Sequence, residues 1–176
     1  MHRIRHQGLA AGLIAMALAG ASAASAQTAI PPSAKDFAMT AAQSDQYEIS
    51  AAQDASAQSQ NPQVRAFAQM MIQDHTRLSE DLRQAATASG LTPPPAAMSS
   101  DQAAMLSALQ SLRGPEFDKA YVKQQSLTHQ AALDVERSYA DGGADPNLRR
   151  AAQSSLPTIE HHLQMAQQLK AALGEM

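Results

Sequence analysis

Helix breakers cluster at three places in the chain, and the unequal distances they span limit the fold more than any other feature. Asn61-Pro62 is the first cluster, Gly90 through Gly114-Pro115 bounds the second, and Gly142-Gly143 with Asp145-Pro146 is the third. Proline suits the first position of a helix but not its interior, glycine ends helices, and Asn or Asp supplies the oxygen that caps a helix start. The breakers therefore predict long helices over residues 34–58, 62–89, 115–140 and 146–173. Between the second and third, LTPPPAAM is a stiff connector, and Ser99 with Gln102 three residues on is a capping-box pattern for a short helix ending near Arg113. Composition agrees, because Ala and Gln dominate while β-branched residues are sparse.

Loop length then sets the topology. A few residues join the first two long helices, and a few join the last two, so each pair forms an antiparallel hairpin. The pairs are about 25 residues apart, enough to run back along a helix of about 36 Å at 1.5 Å per residue. The expected fold is all-α, a ferritin-like four-helix bundle with one long crossover carrying a short helix. An up-and-down bundle with a decorated loop satisfies the same loop lengths.

The N-terminus reads as an address. Arg3 and Arg5 form a basic start, GLAAGLIAMALAG is a short apolar run, and ASAASA before Gln27 offers a small-residue cleavage site after Ala26. The expected organisation is a signal peptide over residues 1–26, a flexible lead over 27–33 and the bundle domain over 34–176. The apolar run falls short of the roughly 20 residues a membrane span needs, and no later stretch is as apolar. The mature chain is thus expected to be soluble in the periplasm or outside the cell, without membrane insertion. There is no cysteine, which excludes disulfides and a lipid-anchored cysteine. Losing Arg3 and Arg5 from the 13 basic residues leaves 11 against 16 acidic ones, a formal charge of −5. That balance argues against a nucleic-acid partner, which would require a concentrated basic face.

Each long helix carries one polar residue in the middle of its apolar stripe. In the first, Phe37, Ala41, Ser44, Glu48, Ala51 and Ala55 share a face; in the second, Met71, His75, Leu78 and Leu82 do. Tyr121, Gln125, His129, Ala132 and Glu136 line the third, and Leu148, Ala152, Ser155, Ile159, His162, Ala166 and Leu169 the fourth. Glu48, His75, His129 and His162 lie near the midpoints of their helices, and midpoints meet at one level in an antiparallel bundle. A buried imidazole or carboxylate without a partner costs a few kcal/mol. The four need one another, water or a cation. Three neutral imidazoles and a carboxylate around one point make a transition-metal site, with Zn, Cu, Fe or Ni as candidate ions. Asp74 and Glu136 are nearby acids that could orient the ligands.

Phe37, Glu48, FAQMMIQDH ending at His75, FDKAYV around Phe117 and Tyr121, THQAAL with His129, and LPTIEHHLQMA with Pro157 and His162 resemble the bacterial family called domain of unknown function 4142. The resemblance spans roughly Asp36 to Leu169 and implies an exported, ferritin-like helical protein. Members are often labelled outer-membrane proteins, yet this sequence offers neither a lipid anchor nor the alternating strands of a barrel. Di-iron proteins of ferritin-like fold carry a Glu on each of two helices and Glu-x-x-His on the other two. Here Ile72 precedes His75 by three and Ile159 precedes His162 by three, while His129 stands where a Glu is wanted. Too few bridging carboxylates remain for that centre.

Other chemistry is thinly represented. His161 is rotated about 100° from His162 on its helix and is expected to face solvent. Ser44, Ser126 and Ser155 lack a triad context, and no glycine-rich phosphate loop occurs. Met39, Met70, Met71, Met98, Met105 and Met165 are scattered, as packing residues are. Three functions fit the sequence: a metal-binding or metal-buffering bundle, a metal-free structural or stress-associated module, and a metalloenzyme acting on oxygen or peroxide.

Overall fold

The computed structural model describes residues 31–174, so the segment read as a signal peptide lies outside the described residues. Five helices follow in order: α1 (Ala34–Gln58), α2 (Pro62–Ala88), α3 (Ser100–Gln110), α4 (Gly114–Gly142) and α5 (Pro146–Ala172). No strand occurs among the described residues. Local chemistry sets the helix starts. The Ser33, Asn61 and Asp145 side chains accept hydrogen bonds from the first amides of α1, α2 and α5, groups that the helix itself leaves bare. Ser99 and Gln102 close their capping box in both directions. At α4 no side chain caps, and the turn depends on Gly114 at φ +57° with Pro115 behind it. α3 stops short of Arg113 because Ser111 Oγ donates back to the Ala108 carbonyl while the Arg113 guanidinium donates to that of Gln110.

Two apolar clusters at opposite ends reveal the directions of the helices. At one end Ala51 and Ala55 of α1 meet Val64 and Phe67 of α2, Phe117 of α4 and Leu169 of α5. The other end joins Phe37 of α1 to Leu82 and Ala86 of α2, Tyr139 of α4 and Leu148 of α5. The finish of α1 therefore lies with the starts of α2 and α4 and the finish of α5. α2 and α4 run parallel, so the chain between them must travel the full length of the bundle. This is the ferritin-like crossover, and it decides against the up-and-down alternative. Around the ring α1 packs on α2 and α4, and α5 on α2 and α4, every neighbouring pair antiparallel. The crossover lies on α1 and α4, where Leu109 of α3 is fully buried in the first cluster.

Met71 is part of this core, and Met70, Met98, Met105 and Met165 pack against it, consistent with a packing role. None of the described helices is long and apolar enough to cross a membrane. In the second cluster the Phe37 and Tyr139 rings stack with centroids 4.0 Å apart. Gly143 leaves space for that arrangement, since a Cβ there would fall 2.5 Å from the Tyr139 ring.

Phe37 is fully buried, so Phe37→Ala removes a whole ring from a packed site and leaves Tyr139 without its partner. A loss of about 3–5 kcal/mol is expected. Urea unfolding followed by circular dichroism measures it, and a loss under about 1 kcal/mol would contradict this packing.

Candidate metal centre

Three helices each contribute one imidazole to the middle of the bundle. His75 from α2, His129 from α4 and His162 from α5 are all buried, with ring centroids 5.2 to 5.4 Å from one another. One nitrogen of each lies within 4.8 Å of the other two. His75 Nε2 and His129 Nε2 are 3.4 Å apart. Two nitrogens bound at about 2.0–2.1 Å to one tetrahedral ion stand about 3.3 Å apart, so this pair already has ligand spacing.

The opposite nitrogens are held from outside, which fixes the tautomers. His75 Nδ1 lies 2.8 Å from Asp45 Oδ1, and Asp45 Oδ2 accepts from Ser79 Oγ. His129 Nδ1 lies 2.9 Å from the Gln125 carbonyl, one turn back on α4. His162 Nε2 lies 3.0 Å from Asp74 Oδ2. Each partner is an acceptor, so each of these nitrogens carries the proton and donates. In the neutral rings lone pairs then remain on His75 Nε2, His129 Nε2 and His162 Nδ1, the last buried without any hydrogen-bond partner. The inward nitrogens are those of a ligand set, and the outer hydrogen bonds orient the rings as ligand-bearing imidazoles require.

Electrostatics keeps two rings neutral. Burial, with the charge of His75 beside it, pushes His162 down to about 4. Burial and the two neighbouring imidazoles hold His129 well below the ordinary histidine value. At His75 burial acts downward too, but the hydrogen bond and charge of Asp45 outweigh it and raise the ring. A proton on His75 Nε2 satisfies the facing lone pair of His129; a cation between them would satisfy both.

Glu48 approaches this trio from behind. Its carboxylate is 3.8 Å from His129 Nδ1, on the side away from the inward nitrogen, and neither oxygen has a hydrogen-bond partner. Burial, opposed by the charge of His75, pushes it up to about 7. Of the four residues marked in the sequence, the structure thus joins the three histidines and places Glu48 adjacent to them. Asp74 meets His162 directly. Glu136 hydrogen-bonds Ser155 at 3.0 Å and no imidazole. His161 is exposed, as its rotation on the helix requires. Sequence reasoning overlooked Asp45, which fastens His75. The signal was its place three residues before Glu48, within the buried face of α1.

Fold and site together define an all-α, ferritin-like bundle with a buried three-histidine cluster at its centre. The chain belongs to the family described as domain of unknown function DUF4142, whose model matches residues 19–169. Among solved structures, a DUF305 protein of Streptomyces coelicolor, predicted to be secreted, shares the fold at a TM-score of 0.68 and 16% identity, covering 81% of this chain and 95% of that one. CopM in its Cu(II)-bound form aligns at a TM-score of 0.67 and 18% identity, covering 78% of this chain and 95% of that one. Comparison with curated proteins finds no match. At these identities the structural likeness establishes the fold alone.

Glu136 supplies a test of the electrostatics outside the histidines. Burial pushes it up to about 7, against the pull of the Ser155 hydroxyl, from an ordinary 4.5. Below pH 4.5 it is protonated in both states and costs nothing. As pH rises toward 7 the unfolded chain releases this proton while the folded chain keeps it, so stability falls by about 3 kcal/mol across that window. Glu136→Gln keeps an acceptor for Ser155 and removes the titration. Its melting temperature should match wild type near pH 4.5 and exceed it at pH 8; equal melting at both would refute the assignment.

Proposed function

We propose that this protein is an exported metal-binding bundle, in which His75, His129 and His162 hold one transition-metal ion. The observation that carries the reading is the pairing of inward and outward nitrogens. Three imidazoles from three helices turn their inner nitrogens toward each other, while Asp45, the Gln125 carbonyl and Asp74 hold the opposite N–H groups. Without a metal, a proton on His75 Nε2 pairs with His129 alone and leaves His162 Nδ1 buried without a partner, whereas one ion between the rings engages all three. The charge balance supports it too, because Asp45, Asp74 and Glu48 surround the trio with carboxylates that a dication offsets. Glu48, placed behind His129, contributes charge rather than a bond in this geometry.

Imidazole donors suit Cu, Zn, Ni and Fe. Copper is the first ion to try, given the fold shared with a protein solved in a Cu(II)-bound form. Three ligands leave one position open, as a binding or buffering protein that must release its cargo permits. The basic start, apolar run and ASAASA site support export to the periplasm or beyond.

Calorimetric titration with Cu(II) and Zn(II) at neutral pH should show one ion per chain, with a rise in melting temperature. His75→Ala, His129→Ala and His162→Ala should each abolish most of the affinity, whereas His161→Ala should leave it unchanged. Absence of saturable binding, or binding indifferent to these three histidines, ends the proposal. Asp45→Asn leaves the ligands in place but loosens the hold on His75, and affinity should fall about 10- to 100-fold.

A further inference from the structure

A cleft of about 150 Å³ opens between α1 and α4, with Gln102 of α3 also lining it, and reaches His75, one imidazole of the trio. Exposed Thr40 and Ala131 lie at its outer side, half-buried Ala132 lines it midway, and Asp45, Glu136 and His75 are its buried inner residues. A water needs roughly 15 Å³ of such space, so the cleft has room for a cation with part of its water shell. His75 is 3% exposed and Asp45 8%, and no described hydrogen bond closes the cleft over them. Asp45 touches outer space and inner ligand at once, since it lines the cleft and accepts the proton of His75 Nδ1. Glu136 turns one oxygen to Ser155, and its second oxygen is in no hydrogen bond.

We infer that this cleft is the port through which the metal ion reaches and leaves the three imidazoles, with Glu136 and Asp45 as the carboxylates that draw it inward. The inference rests on the metal-binding reading above. The physical need is plain: His129 and His162 are buried and only His75 lines the cleft, and a dication crosses a packed interior only with ligands along the way. Oxygen donors suit a cation still carrying water, and the imidazole nitrogens then replace that water, so the lining changes from oxygen to nitrogen in the order a dehydrating ion requires. Small side chains at Ala131 and Ala132 keep the passage clear.

The test is kinetic, because a narrowed path slows arrival and departure together and leaves the equilibrium constant alone. Stopped-flow absorbance on mixing the full chain with Cu(II) gives the loading rate, and transfer to a chelator gives the release rate. Ala132→Phe should slow both about tenfold or more while Kd stays within about twofold. Ala131→Phe stands on an exposed position and serves if the first variant unfolds; it should slow both in the same direction. At pH 8, where Glu136 is mostly ionised, Glu136→Gln should lower the loading rate several-fold and flatten its dependence on salt, with little change in release. Wild type that loads normally, alongside folded Phe variants that load and release as fast, overturns the port and leaves the metal site intact. Wild type that takes up no Cu(II) overturns the metal site, and the port with it.

Discussion

Three imidazoles buried at the midplane govern the rest of the molecule. An imidazole in an apolar core costs free energy unless both nitrogens are occupied, and here each ring has one nitrogen fixed by a neighbouring acceptor and one turned to its fellows. The helices cannot slide or rotate without breaking those outer bonds. His75 ties α2 to α1 through Asp45, and His162 ties α5 to α2 through Asp74. The polar layer thereby sets the register that two purely apolar ends, rich in alanine, would define only loosely.

On either side of this layer the bundle is ordinary core. Tyr47, Phe67, Met71 and Phe117 fill one end, Phe37, Tyr139 and Leu148 the other, and Leu109 from the crossover reaches the first. Division into two apolar ends and a polar waist has a consequence for access. The waist meets solvent through the α1/α4 cleft and at partly exposed Asp74, the latter also paired with Arg77 on the surface.

Much of this was legible from the chain itself, for reasons that differ by element. Breakers and caps are local, so Asn61-Pro62, the Ser99–Gln102 box and Asp145-Pro146 predicted helix starts that the structure repeats. The midpoint argument worked for the histidines because helix rise is constant and hairpin loops are short. It was less complete for acids. A carboxylate's reach depends on its rotamer, so Glu48 appeared central from its stripe but settles behind His129, while Asp45, one position beyond Ser44 on the stripe, makes the closer bond.

What the sequence alone determined is the set of helices, their lengths, the two hairpins and the level at which His75, His129 and His162 would meet, since each follows from short-range rules of capping, periodicity and rise per residue. The tertiary structure alone decided that α2 and α4 run parallel, that the crossover lies on α1 and α4, and which nitrogen of each imidazole faces inward. Those depend on contacts between residues far apart in the chain. Nothing in the 25 or so residues of crossover dictates which way they travel; the choice belongs to the packing of the two hairpins, just as the orientations of His75 and His162 belong to the carboxylates that another helix brings beside them.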